Sequence, residues 1–240
     1  MPPISRPDFK QLIHGRVLEI GPFYTPFLSG PGVEYFDVKD QEKLREMAVQ
    51  LDLDPSGCPP IHHVSPDGDL AIVQGQFDAV FSSHAIEHQP DLIGHLNRVA
   101  DLLRPGGRYF AIVPDKRYCF DHFRECSTLE DVIGQEGKRL SDPRAISASH
   151  HRAHNDPVRH WAWRHGPVLS DHEGERHALE RLDAGEYVDT HNWTFTPATF
   201  RQIAEALYET GKTKLKPLVV HDTAFRSCEF MAVFAIEVSP

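Results

Sequence analysis

Apolar and polar positions along the chain switch between two periods, and the switches mark out elements. After a lead-in at 1–14, with a short helix expected around Asp8–Ile13, RVLEI (16–20) is a compact apolar run that ends at a glycine. VEYFDVKD (33–40) is a second run with an acidic end. QEKLREMAVQL (41–51) changes to helical spacing through Leu44, Met47 and Leu51. DPSGCPP (54–60) is a turn, and IHHV (61–64) reads as a short strand. FDAVFSS (77–83) is nearly continuous in apolar residues, as a strand buried on both faces requires. Residues 90–107 read as a helix, with Leu92, Leu96, Val99, Leu102 and Leu103 on one face and Pro105-Gly106-Gly107 as the stop. RYFAIVP (108–114) is the next strand.

The alternation then lapses. Residues 115–192 are polar, rich in His, Arg and Asp, and show no apolar period from which to build a core of their own. It resumes with a helix at 196–211, started by Thr196-Pro197 and stopped by Gly211, and two closing strands at 214–220 and 229–238. Strand–helix alternation followed by two strands with no helix between them predicts an α/β fold: a mainly parallel sheet with an antiparallel edge. The whole chain, 1–240, is expected to be one domain. Its polar insertion, 115–192, is expected to form a lid over the carboxyl ends of the strands, where open α/β sheets bind ligands.

Composition narrows the classes. A formal charge of −10 argues against nucleic acid as a partner, although 16 histidines can reverse the sign locally in mild acid. No stretch has the apolar length of a membrane span, and the opening MPPISRPDFK contains no apolar signal segment. Four dispersed cysteines without a C-x-x-C form a reduced, cytoplasmic pattern. The expected partner is a small polar molecule, with the protein a monomer or homodimer.

The first chemical signal is Glu19-x-Gly21, followed by Asp37 at the end of the second strand and by Asp67-Gly68-Asp69-Leu70. An acidic residue at Asp37's position receives ribose hydroxyls in doubly wound folds, and Asp67 or Asp69 can accept from an adenine amine. A pyrophosphate would need several glycines against which to lie. One glycine, with Pro22 and Phe23 as walls, suits a nucleoside without phosphate, and S-adenosylmethionine is such a ligand.

VLEIGP, the acidic second-strand end, FDAVFSSHAIEH and LNRVADLLRPGGRYFAIVPD together resemble the class I S-adenosylmethionine-dependent methyltransferases of the type-11 group, over about 1–120 and 193–238. The resemblance implies a Rossmann-like seven-stranded sheet of order 3-2-1-4-5-7-6 with strand 7 antiparallel. It implies S-adenosylmethionine as methyl donor and S-adenosylhomocysteine as product. It also puts Ser82, Ser83 and His84 at the methionine end, with Phe23 or Tyr24 packed nearby. Pro22 and Phe23 stand where many members have G-x-G. The segment PDKRYCFDHFR (114–124) is similar to stretches in methyltransferases that accompany sugar-assembly enzymes, which implies a glycosyl acceptor.

His84, Glu87 and His88 spell H-x-x-E-H, a pattern also found in zinc proteases. Here it follows a strand directly and runs into Gln89-Pro90, so the helix is too short to present a metal, and no metal site is assigned. In the insertion, SASHHRAHNDPVRHWAWRHG (147–166) collects histidines, arginines and tryptophans suited to a sugar or an anionic group, and its H-H-x-x-H leaves a divalent metal as an alternative. An alcohol acceptor benefits from a base. His154 and then His122 are the expected bases, with Asp115 orienting a base or the acceptor. The expected reaction is methyl transfer to a hydroxyl of a sugar, nucleotide sugar or glycan. The alternatives are an N-methyltransferase of an amino-bearing small molecule, or a non-catalytic module that binds the cofactor. A nicotinamide enzyme is disfavoured by the lack of G-x-G-x-x-G and of a Tyr-x-x-x-Lys pair.

Overall fold

The computed structural model describes residues 1–237. Seven strands form the main sheet: β1 (Val17–Ile20), β2 (Val33–Asp37), β3 (His63–Val64), β4 (Phe77–Ser83), β5 (Leu103–Pro114), β8 (Leu215–Val220) and β9 (Glu229–Ile236). Two more, β6 (His151–Arg152) and β7 (Leu169–Ser170), pair with each other in the insertion. The main sheet runs β3-β2-β1-β4-β5-β9-β8. Its first five strands are parallel, and β9 lies antiparallel to both neighbours. With the insertion's hairpin set aside, this is the expected 3-2-1-4-5-7-6 order.

Alternate residues of the central strands serve opposite faces. Leu18, Ile20, Val80, Ala111, Val113, Phe230 and Phe234 pack into the larger core. There they meet Leu96 and Val99 of α3 (Leu92–Leu102) and Phe200, Ile203 and Leu207 of α8 (Pro197–Glu209). Val17, Ala79, Phe81, Phe110, Ile112 and Val233 face the other way, onto Phe9 of α1 (Arg6–Lys10) and the loop residue Leu28. A register shift between Phe77 and Ala79 returns Phe77 to the larger core despite its odd position. Helix α2 (Gln41–Gln50) closes a smaller cluster with Phe23, Tyr24 and Cys58.

Four element boundaries depart from expectation. The helix expected through residue 107 stops at Leu102, because Leu103 pairs with Phe77 and 103–107 join β5. β2 ends at Asp37, leaving Val38 and Lys39 to turn into α2, and β3 keeps only two residues. β9 ends at Ile236, and Val238 lies outside the described residues. The insertion is more structured than its composition suggests. It holds α4 (Leu129–Gly134), α5 (Pro143–Ser149), α6 (Pro157–Trp161) and α7 (His172–Asp183), and Ile146, Leu182 and Val188 form a small apolar cluster of their own. The three residues lie too far apart in sequence to show as a period. Among the described residues no helix is long and apolar enough to cross a membrane, and all four cysteines are free.

Candidate active site

The carboxyl ends of β1, β2, β4 and β5 open on the same side of the sheet and deliver Gly21, Asp37, His84 and Asp115 there. Gly21 has φ +71, and a Cβ built on it would meet nothing nearer than Ala85 Cβ at 3.6 Å. The chain therefore turns sharply after β1 while leaving bare backbone. Phe23 follows, also left-handed at φ +45, with its ring against Tyr24. Pro22 is buried at this turn.

Glu19 is almost fully enclosed, and its two oxygens accept the Phe27 and Leu28 N–H groups at 2.7 and 2.8 Å. It anchors the loop after Gly21 and turns no free oxygen toward a ligand. Burial raises its carboxyl to about 7 from an ordinary 4.5, against those two hydrogen bonds. With the folded value raised, the protonated form is favoured by folding. Stability should thus be greatest below about pH 4.5 with respect to this group, and should fall by about 3 kcal/mol as pH rises through 7. Urea midpoints at pH 5 and 8 in wild type and Glu19→Ala would isolate this slope, which the variant should lack.

Asp37 is buried at the end of β2, and burial raises its pKa against hydrogen bonds from local backbone, including Lys39 N–H to Oδ1 at 3.2 Å. Asp67 is engaged by Ser65 Oγ at 2.6 Å and by Arg139 of the insertion at 2.5 Å. Asp69 Oδ1 caps the 3-10 turn Leu70–Ile72 through Ala71 N–H. A cavity of ≈ 690 Å³ is lined by Asp67, Gly68, Asp69, Leu70, Gln89 and the insertion's Tyr187, among others. It joins the 67–70 turn, where adenine is expected, to the insertion, and it is not lined by Gly21 or Asp37.

The methionine-end trio divides. Ser82 is fully buried, its Oγ 2.7 Å from the Tyr109 hydroxyl, and faces the core. Ser83 and His84 are half-buried. His84 adopts φ +52, an uncommon conformation for a residue with a Cβ, pinned by its N–H to Ile112 O at 2.9 Å. That turn aims the imidazole at Glu229, whose Oε2 lies 2.8 Å from Nε2. Burial would push the Glu229 carboxyl up, but hydrogen bonds from Arg6 and His84 prevail and hold it at about 2. His84 Nδ1 keeps no such partner and stands 3.9 Å from Glu87 Oε1.

The expected bases are placed differently. His154 Nε2 donates to Arg164 O at 2.7 Å, and Nδ1 accepts from Asp156 N–H at 3.1 Å. Both ring nitrogens are spent on backbone, so the ring is held as a structural strut. His122 bonds Arg117 O through Nδ1 and stacks on His165, beside His160. Asp115, wholly buried, takes a forked bond from Arg117 and another from Thr223 Oγ1, tying the end of β5 to the loop after β8.

Two groups missing from the sequence reading close the site. His191, at the end of the insertion, sets Nδ1 2.5 Å from Asp121 Oδ2, and Asp121 also pairs with Arg124 at 2.9 Å. Asp189 Oδ1 lies 2.8 Å from His88 Nδ1. The returning chain is fastened here: Asn192 and Trp193 side chains donate to His88 O and Gln89 O, and Asn192 N–H to Glu87 O. No spacing rule links 84–88 to 189–191. The only sequence sign was that both are rich in His and acid.

The methyltransferase-domain family matches residues 10–207 of this chain. The chain belongs to that family. Solved structures similar to this methyltransferase include the CcbJ methyltransferase from Streptomyces caelestis, at 16% identity over 98% of this chain and 97% of that one, with a TM-score of 0.46. An S-adenosylmethionine-dependent methyltransferase from Mesorhizobium loti is 15% identical over 95% and 96%, also at 0.46. The N-terminal domain of EvdMO1, solved in the presence of S-adenosylhomocysteine and D-fucose, is 12% identical over 97% and 81%, at 0.44. All three likenesses are distant, and the family assignment rests on the domain match. No curated protein matches the chain. Membership implies S-adenosylmethionine as donor, and the turn at Gly21 with the buried, ligand-side Asp37 fits such a group: one close backbone pass and one carboxylate.

Proposed function

We propose that this methyltransferase transfers the methyl group of S-adenosylmethionine to a hydroxyl of a polar small molecule, a sugar, nucleotide sugar or glycan. The observation that carries the reading is His84. It sits at the carboxyl end of β4, its Nε2 is held by Glu229, and its Nδ1 has no hydrogen-bond partner, the nearest acid being Glu87 Oε1 at 3.9 Å. A carboxylate on one imidazole nitrogen fixes the tautomer and leaves the other as proton acceptor, an arrangement suited to deprotonating an alcohol. When bound, the donor supplies an electrophilic methyl on a sulfonium. Asp37 would accept from its ribose, and Gly21 and Phe23 would wall it. His84 Nδ1 would take the hydroxyl proton of the acceptor as its oxygen receives the methyl group, leaving the donor as the neutral thioether.

Residues 115–192 would act as the acceptor-binding lid. Tyr118 and Trp161 stack at 4.0 Å and 5°, with Phe225 edge-on to Trp161, and Arg117 lies over Tyr118. Flat aromatic faces beside a guanidinium suit a sugar ring that carries an anionic group.

Two measurements test this reading. By calorimetry, S-adenosylhomocysteine should bind and NAD should not, and Asp37→Ala should weaken binding by ~1–3 kcal/mol, the loss of hydrogen bonds to a charged group. With labelled donor and a panel of sugars, nucleotide sugars and amines, mass spectrometry should find the label on oxygen. Label found only on amine nitrogen would replace the hydroxyl reading.

A further inference from the structure

Glu87 is completely buried, and among the described residues neither of its carboxylate oxygens has a hydrogen-bond partner. A carboxylate in that state is costly unless a partner of opposite charge belongs there. Three imidazoles surround it, those of His84, His88 and His191. Glu87 Oε1 lies 3.8 Å from His88 Nε2 and 3.8 Å from His191 Nε2. Those separations are too long for hydrogen bonds and leave room between the three atoms, all within 4.8 Å of one another. The two rings meet at 87° with centroids 4.6 Å apart, so their nitrogens converge and do not stack side by side.

The far nitrogens tell the same story. His191 Nδ1 is backed by a hydrogen bond to Asp121 Oδ2 at 2.5 Å, and His88 Nδ1 lies 2.8 Å from Asp189 Oδ1 without hydrogen-bond alignment. A carboxylate behind each imidazole raises its basicity, and the bonded one fixes the His191 tautomer, as the outer carboxylates of metal-bound histidines do. We propose that Glu87, His88 and His191 bind one divalent first-row cation, with further coordination positions left for water or an acceptor oxygen. Two nitrogens and one oxygen favour Zn²⁺ or Co²⁺ over Mg²⁺. Tetrahedral bonds of about 2.0–2.2 Å put ligand atoms about 3.3–3.6 Å apart, so the side chains must close on the ion from their present separations of 3.8 Å and more. His84 Nδ1 also approaches Glu87 Oε1, at 3.9 Å, but it does not gather with both other imidazoles within the same 4.8 Å and so stays outside the trio. The histidines 122, 160 and 165 also gather closely, but their rings lie within 28° of parallel and no carboxylate joins them. Two of their ring nitrogens, His160 Nδ1 and His165 Nδ1, already contact each other at 3.0 Å, so that cluster is held by a bond of its own. The proposal does not depend on which acceptor is methylated.

The test is binding to the whole chain, read without turnover. Chelator-treated protein is titrated with Zn²⁺ by calorimetry and with Co²⁺ by visible absorption, and S-adenosylhomocysteine binding is measured alongside. One ion per chain is expected, with Co²⁺ bands of low coordination number. Glu87→Gln and His191→Ala should each weaken binding by roughly 100-fold or more, while His160→Ala leaves it unchanged. Circular dichroism checks the fold. His88→Ala, at a more open position, should show the same loss and serves if Glu87→Gln does not fold. Folded protein that shows no saturable binding of Zn²⁺ or Co²⁺ overturns the site. So does binding that survives His191→Ala and vanishes in His160→Ala. Either result leaves the donor-binding measurement, and with it the methyltransferase reading, untouched.

Discussion

Asp121→Ala should destabilise the protein by about 3–5 kcal/mol, the usual cost of removing one partner from a buried ion pair. Asp121, Arg124 and His191 have side-chain exposures of 2%, 8% and 9%, so water cannot replace the lost carboxylate without the structure opening. Arg124 would keep only its bond to His191 O, and its guanidinium would remain charged in an apolar setting. The Cys119 thiol, kept neutral by burial and then by Asp121, would lose its weak contact to Asp121 Oδ2 at 3.9 Å, a small further cost. Chemical denaturation of wild type, Asp121→Ala and Asp121→Asn is the measurement. Asparagine keeps the shape and one acceptor and should cost less than alanine. Equal midpoints for wild type and Asp121→Ala would mean that the network is hydrated and the insertion loosely held.

His84→Ala should lower methyl-transfer turnover by roughly 10²–10⁴ with S-adenosylhomocysteine affinity within a few-fold of wild type, the signature of a lost base. The imidazole contributes no buried apolar core, so the fold should survive. The backbone should also relax, because alanine gains nothing from φ +52 once the Glu229 contact is gone. Glu229→Gln should produce a smaller loss, since the amide can still hold the ring in place but not stabilise an imidazolium. If donor affinity falls in step with turnover in His84→Ala, then His84 is a wall of the donor pocket and the proton leaves by another route.

The sheet was legible because its strands carry their own signature. FDAVFSS and RYFAIVP are largely buried and read as nearly continuous apolar runs, and the glycine after β1 and the acid that ends β2 sit where such strands are expected to open to ligand. Boundaries were less legible: LRPGG looks like a helix stop, yet its backbone extends β5 because Phe77 lies opposite Leu103. The residues proposed for the donor, Gly21 and Asp37, could be named because each belongs to one strand end. The acid–base groups could not. Whether a histidine is available depends on what its second nitrogen touches, and for His154 that is the carbonyl of Arg164, which no spacing announces. Glu87 was visible in H-x-x-E-H, and the turn there is indeed a single 3-10 turn, too short to display two imidazoles. What completes the group is His191, supplied by the returning insertion.

That return has a consequence for how the molecule assembles. The bonds from Asn192 to His88 O and from Trp193 to Gln89 O join positions 104 residues apart. Closing so long a loop is entropically unfavourable until the intervening helices have shortened it, and contacts of high sequence separation tend to be slow to form. The sheet core of β1, β4 and β5 can pair without the insertion's last turn, whereas Glu87 acquires His191 only when that turn docks. In pulse-labelling hydrogen exchange, protection at Val80 and Phe110 should therefore precede protection at Asn192 and Trp193. The interval between them would be a stage at which the chain is largely folded but His191 has not yet reached Glu87.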